Sequence, residues 1–338
     1  MANRYTRLIG ATLAGAVAFA IANGARAQNM PDIVWKFGHE NRETVPAAKA
    51  AHILAEEVAK RTDGHFKIEI YPAGQLGKEA QLVEQLQLGT VQMTFTPTAP
   101  LSNFEPRMQL LDLPFLFPSH AAAYAVLDGR VGEDLLSGLQ KRGLKGLGFW
   151  ESGFKQMTSA VRPILSPTDL GGQKVRTMQS PMLLEQYRSW GANPVAISFS
   201  ETYNALQQGI AEAQENPLVS IDSMRFYEVQ KYLTLTNHGY TAFVVMANRK
   251  AYDGLTPAYR KALTEAFAIA RDAERKDSQQ LDTELLNKLS GRLEVHKLSP
   301  EGHAEFVRLS RELHKKYEEK VTKALLEQVY EETKRFEK

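Results

Sequence analysis

With 338 residues, no cysteine, and 41 Lys and Arg against 39 Asp and Glu, the chain can build no disulfide framework, lipid-modified N-terminal cysteine or cysteine nucleophile. A formal charge of +2 gives no footing to a nucleic-acid or anionic-membrane partner, which need a net or clustered basic face. The length suits two domains, and a site between domains is then a natural place for a ligand.

The N-terminus reads as a secretory signal. Arg4 and Arg7 precede an apolar run from Leu8 to Ile21, and the small-residue site Ala25-Arg26-Ala27 follows. The run is about 14 residues, short of the roughly 20 that cross a bilayer. Cleavage before Gln28 and a periplasmic destination are therefore expected. The signal takes three arginines and no acid with it, which leaves 38 basic against 39 acidic residues. No later stretch reaches transmembrane length without charges.

From Ile33 onward strand and helix signals alternate. Ile33 to Phe37 is a short apolar run, and Thr44 is placed to cap a helix with Pro46 in its first turn, ending near Gly64. Phe66 to Ile70 alternates with the period of a strand, a helix over about 78–87 ends at Gly89, and Val91, Met93 and Phe95 alternate again. The same punctuation recurs later. Leu144 to Trp150 and Lys174 to Arg176 are predicted strands, Ser180-Pro181 opens a helix closed by Gly191, and Ser200 opens one closed by Gly209. Such alternation argues an α/β protein with mostly parallel sheets.

Apolar positions from Thr256 to about Leu289 keep a helical period with no Pro or Gly inside after the first turn. A helix of that length is a rod of roughly 50 Å, longer than one small domain is wide, so it is expected to span two domains. The segment from Ser299-Pro300 to Lys338 reads as further helix with a charged, frayed end.

Catalytic signatures are missing: the chain has no G-x-S-x-G, H-E-x-x-H, Walker loop or G-x-G-x-x-G. Gly143, Gly146 and Gly148 lie before and inside a strand, the wrong context for phosphate. His39-Glu40 beside Glu43 lacks a second histidine at helical spacing, so no metal, catalytic residue or cofactor is expected. Unusual polar residues instead collect between Trp150 and His238. Lys155 follows a strand end and Arg176 alternates with Val175; an Arg fork grips one carboxylate bidentately while a Lys offers a compact charge to another. Taken alone, Arg176 and Lys155 could equally be solvated charges, Phe199 a core residue and Asn216-Pro217 a turn.

Ordered segments along the whole mature chain carry a resemblance that spacing does not. They include Phe37-Gly38-His39, Tyr71 to Gly77, Asp112 to Phe117, Asp169 to Arg176, Ser198 to Gln207, Gln214 to Pro217, Tyr227 to Lys231 and Thr236-Asn237-His238. In these the chain resembles the solute-binding proteins of tripartite ATP-independent periplasmic (TRAP) transporters. The resemblance implies an α/β, two-lobed periplasmic-binding-protein-like fold with a long helix spanning both lobes. It places residues 28–153 and 242–281 in the first lobe, 154–241 and 282–330 in the second, and 331–338 in a charged C-terminal tail. It implies a monomer that closes over a small organic acid and passes it to membrane-embedded TRAP permease subunits, without enzymatic activity.

It also implies that Arg176 grips a carboxylate, that Asn216 donates to the same group and that Phe199 forms an apolar wall. Trp150, Thr98, His39 and His238 complete the expected site. The stretch Gly148 to Gln156 resembles the C4-dicarboxylate branch, which carries lysine at the place of Lys155. Sialic-acid binders carry arginine there, a glutamate at the place of Pro97 and an asparagine at that of Glu40. A C4-dicarboxylate such as succinate, malate or fumarate is thus expected, with a sugar acid or keto acid as the alternative. A periplasmic enzyme using Glu40, Glu43 or Asp112 is the competing class, and no spacing brings those acids together.

Overall fold

The computed structural model describes residues 31–336; the expected signal at 1–27 and the last two residues of the expected tail lie outside them. Among the described residues ten strands occur: β1 (Ile33–Gly38), β2 (Phe66–Tyr71), β3 (Met93–Pro97), β4 (Leu144–Ser159), β5 (Lys174–Thr177), β6 (Asn193–Ala196), β7 (Ala213–Pro217), β8 (Tyr232–Leu235), β9 (Tyr240–Asn248) and β10 (Glu294–Lys297). The sheet of the first lobe runs β2-β1-β3-β9-β4, and that of the second runs from β4 through β7 and β5 to β6, with β8 and β10 on the other side of β4.

One strand belongs to both lobes. β4 pairs antiparallel with β9 from Leu144 to Phe154, then exchanges that partner for β7 and β8 from Lys155 to Ser159. The strand expected to end at Trp150 therefore runs nine residues further, because glycines absorb two register shifts without ending the pairing. The shifts fall between Gly146 and Gly148 and between Glu151 and Gly153. Gly153 has φ +110, a conformation that a side chain rarely adopts. The expectation of mostly parallel sheets needs correction at the same place: β9 and β4 return antiparallel in the centre, while β1, β2 and β3 and likewise β5, β6 and β7 pair parallel.

The long helix expected from the sequence is present as Pro257–Ser290, its start capped by Thr256, whose hydroxyl accepts from the Tyr259 N–H at 3.2 Å. Its first half buries Tyr259, Leu263, Ala266 and Phe267 among Trp35, Phe37, Phe95 and Trp150 of the first lobe. Its last turns bury Leu285 and Leu289 among Phe199, Ile221, Phe226 and Leu233 of the second. By contrast the first helix, Pro46–Arg61, starts at Val45 with no side-chain cap, so Thr44 is not the cap its type suggested.

Two helices, Pro300–Val321 and Lys323–Lys334, close the chain. Phe306 packs in the second lobe with Tyr187 and Trp190. From Leu313 to Val329 the apolar residues join a core that holds Met108, Leu110, Leu127 and Leu135 of the first-lobe segment together with Met182 and Leu183 of the second. The part of the expected tail up to Lys334 is helical, and Thr333 is buried.

Packing between β4 and the long helix leaves no room at Gly148, where a Cβ would lie 2.4 Å from both Cε1 and Cζ of the Phe267 ring. Phe267 in turn stacks on Trp150 at 6.1 Å and 9°. Gly148→Ala is expected to lower stability by roughly 2 to 4 kcal/mol, the range for overpacking combined with a strained backbone. Urea unfolding measures it; a loss under about 0.5 kcal/mol, the surface range, would show that this contact does not constrain the crossing.

Candidate functional site

Between the lobes lies a narrow cleft of about 10 Å³, walled by Asn41, Glu79, Pro97 and Phe243 from the first lobe and by Met178, Phe199, Asn216 and Ser220 from the second. Ser152 of β4 and Thr241 of β9 form its floor, where the strands cross. The lobes touch around its rim. Glu40 accepts from the Ser200 N–H of the second lobe at 3.1 Å and from the Glu79 N–H of the first at 3.2 Å, and Lys78 reaches Glu201 at 2.6 Å. One carboxylate thus satisfies backbone donors at two helical starts, one in each lobe.

Arg176 is completely buried on β5, held between β6 and β7. Its Nε and Nη2 both donate to the Ile197 carbonyl, at 2.9 and 2.7 Å, which locks one edge of the guanidinium, while Nη1 has no hydrogen-bond partner. Burial lowers its pKa, and Glu79, Glu215 and Glu40 oppose that. The arrangement is a preoriented cation with a donor left over. Arg176 is not itself among the residues lining the cleft, whereas Asn216 is; one Asn216 amide hydrogen goes to Gln214 Oε1 at 2.6 Å, leaving the second.

Lys155 is also buried, yet it is not free. Its Nζ stands 2.9 Å from Glu215 Oε2, and both side chains are almost wholly removed from water. Glu215 thus compensates the lysine charge inside the protein. Glu215 sits on β7 two residues from Pro217, which faces Lys155, and so on the same side of the sheet; sequence separation hid the pair. Burial raises the Glu215 pKa, but Lys155 and His238 outweigh it and hold the group below its ordinary value. His238 stands 3.4 Å from Glu215 and is oriented by Thr236 at 2.7 Å and Tyr187 at 3.1 Å.

Two further acids were not singled out as ligand contacts from the sequence. Burial and then Glu40 push Glu79 up to about 8, against the pull of Arg176, so at neutral pH it carries a proton. Burial brings Asp112 to about 7, with Lys155 opposing; Thr98 donates to its Oδ1 at 2.8 Å. Thr98 is thus committed to Asp112. Trp150 does not wall the cleft: it lies in the first-lobe core between Phe37, Phe95 and Phe267, because the cross-strand stack of aromatic rings buries it. Phe199 does wall it. Among the described residues no group of three or more His, Asp or Glu could hold a metal ion.

The sequence profile of bacterial extracellular solute-binding proteins, family 7, matches residues 37–320. The chain belongs to that family. The C4-dicarboxylate-binding periplasmic protein DctP of Rhodobacter capsulatus is 35% identical over 322 residues, covering 94% of this chain and 95% of its own length. The sugar acid binding protein DctPAm from Advenella mimigardefordensis, solved with galactonate, superposes with a TM-score of 0.88 at 35% identity over 90% of this chain and 99% of its own. A TRAP periplasmic solute binding protein from Sulfurospirillum deleyianum, solved with succinate, gives 0.85 at 33% identity over 88% and 98%. This chain is accordingly a TRAP-type solute-binding protein of the two-lobed fold and not an enzyme. Its family is periplasmic, and no helix among the described residues is long and apolar enough to cross a membrane.

His39, expected in the site, stacks on Phe95 at 4.8 Å with both ring nitrogens buried and unpartnered. Burial depresses its pKa to about 4. The unfolded chain therefore takes up a proton between pH 6.5 and 4 that the folded chain refuses, so His39's contribution is intact above 6.5 and lost as pH falls toward 4. The loss amounts to roughly 3 kcal/mol. Urea unfolding at pH 7 and pH 4.5 should show a markedly smaller acid loss in His39→Gln than in the unsubstituted protein; equal losses would mean the ring is hydrated.

Proposed function

We propose that the chain captures a small organic acid in the interlobe cleft and delivers it to membrane-embedded TRAP permease subunits. The observation that carries this reading is the buried Arg176, whose Nη1 is unpartnered and whose charge acts on the cleft residue Glu79. A ligand carboxylate there receives Nη1 and the spare Asn216 hydrogen, with Phe199 against its carbon skeleton. Desolvated, charge-assisted bonds select anions over neutral solutes. His39 and His238 support the cleft from behind rather than from its wall. The lobe boundaries implied by the resemblance are supported as far as the partner exchange of β4 at Lys155, with the chain end excepted.

The other end of the ligand separates two classes. A second carboxylate near Lys155 competes with Glu215, which already neutralises that ammonium. Hydroxyl groups, by contrast, find the neutral Glu79 carboxyl, Asn41 and Ser152 in the cleft wall. This favours a hydroxylated monocarboxylate, and the neighbour solved with galactonate is of that kind. The C4-dicarboxylate reading is the second, favoured by the lysine itself, by the Rhodobacter relative and by the neighbour solved with succinate.

Arg176→Lys is expected to weaken binding about 100-fold or more while leaving the fold intact, since it keeps charge and loses the planar fork that spans Ile197 and the ligand. Lys155→Ala should weaken succinate more than galactonate if the second charge is held there. Calorimetry with both acids on both variants makes the comparison, and unchanged affinity for each acid in Arg176→Lys overturns the site.

Export follows from Arg4, Arg7, the apolar run and Ala25-Arg26-Ala27. The periplasmic protein is expected to begin at Gln28. Intact-mass measurement on periplasmic extract tests this, and a species retaining Met1 there would refute it.

A further inference from the structure

On the face of β4 away from the cleft, acids accumulate without a role in ligand contact. Glu151, 1% exposed, follows Trp150 and precedes the cleft residue Ser152 at the second register shift of β4. Its carboxylate accepts from Tyr124 at 2.5 Å, from Tyr240 of β9 at 2.5 Å and from His120 Nδ1 at 3.0 Å. Its own N–H donates to Glu274 of the long helix at 3.2 Å, and Ser278 one turn on donates to Glu274 at 2.9 Å. One turn further, Asp282 lies 3.6 Å from His120 Nε2.

The placement is mechanical. Glu274, Ser278 and Asp282 recur every four residues, so they share one helix face. They occupy the stretch between the turns buried in the first lobe, ending at Ala270, and those buried in the second, from Leu285. β4 changes partners four residues after Glu151. β4 and the long helix, two of the connections that cross between the lobes, are therefore tied together at a point where a closing motion bends them.

We propose that Glu151, His120 and Asp282 form a hinge clasp, in which His120 bridges the β4 pivot to the long helix and favours the closed arrangement of the lobes. These are positioning residues, acting on closure and not on the ligand. The inference rests on capture by closure, and it adds a proton to that process at a distance from the cleft. His120 faces Tyr124 on its own helix, Glu151 on β4, Tyr240 on β9, and Glu274 and Asp282 on the long helix; Arg275 lies over the Tyr124 ring and pairs with Asp128. Burial lowers the His120 pKa, but Asp282 and Glu151 outweigh it and lift it to about 9. Burial and Glu151 raise Glu274 to about 8. The clasp is thus assembled with both protons bound. As pH rises through 8 to 9, Glu274 gains a negative charge beside Glu151 and His120 loses its positive one, so the closed arrangement weakens. The His120 side chain is 27% exposed, which gives protons access.

The test uses the full mature chain with His120→Gln and Asp282→Asn, both at part-exposed positions. Affinities for D-galactonate and succinate are measured from pH 7 to pH 10. The unsubstituted chain should lose affinity above pH 8, partly through Glu79, which titrates alike in every variant. His120→Gln is expected to bind about tenfold more weakly at pH 7, within the usual range of coupling between sites, and to show a shallower loss. Wild-type affinity and an identical pH profile in His120→Gln overturn the clasp. If the unsubstituted chain binds neither acid, the ligand reading fails separately, and the clasp is then judged by NMR titration of the His120 ring. A midpoint near 9 that falls in Asp282→Asn upholds it, and an ordinary midpoint near 6.5 overturns it.

Discussion

A guanidinium removed from water needs partners for all of its donors, and Arg176 finds them on one edge only. That deficit organises the molecule. An isolated buried charge costs several kcal/mol, so the surrounding protein must supply negative potential, and it does so with Glu215 of the second lobe and Glu40 of the first. Neither accepts a hydrogen bond from Arg176. The cation is therefore tolerated without being saturated, the condition under which an incoming carboxylate gains a charge-assisted bond without first displacing a resident acid.

The supporting frame follows from chain continuity. β4 and the helix Pro257–Ser290 each run through both lobes, so an approach or separation of the lobes must bend these two elements. Glycines at 148 and 153 let β4 shift register without losing its ladder, while the helix has no glycine or proline after its first turn and resists bending. Across the cleft rim Glu40 joins the two lobes at the Ser200 amide.

The elements legible in the sequence are those decided by local signals. The long helix was recoverable to within a residue at each end because Thr256-Pro257 caps it and its apolar period continues unbroken. Arg176, Phe199 and Asn216 came from the family resemblance; Phe199 and Asn216 line the cleft, and Arg176 is wholly buried outside its lining. What escaped was non-local. The continuation of β4 past Trp150 depends on β7 and β8, contributed more than fifty residues later. The burial of Trp150 depends on Phe267, more than a hundred residues away, and the pairing of Lys155 depends on Glu215 sixty residues on. An acid in a helical first turn, such as Glu79, reads as an ordinary dipole partner until the second lobe covers it.

That covering gives the cleft its chemical character. Glu215 stays ionised because Lys155 and His238 oppose burial, whereas Glu79 has only a distant cation and keeps its proton. Two carboxyls in one desolvated region are thus driven to opposite states by their nearest neighbours, as happens wherever like charges and desolvation compete. The ionised one neutralises a lysine, and the neutral one offers both a donor and an acceptor to the cleft. On the proposed reading, a solute matching this arrangement carries its charge at the Arg176 end and its hydrogen-bonding groups at the other.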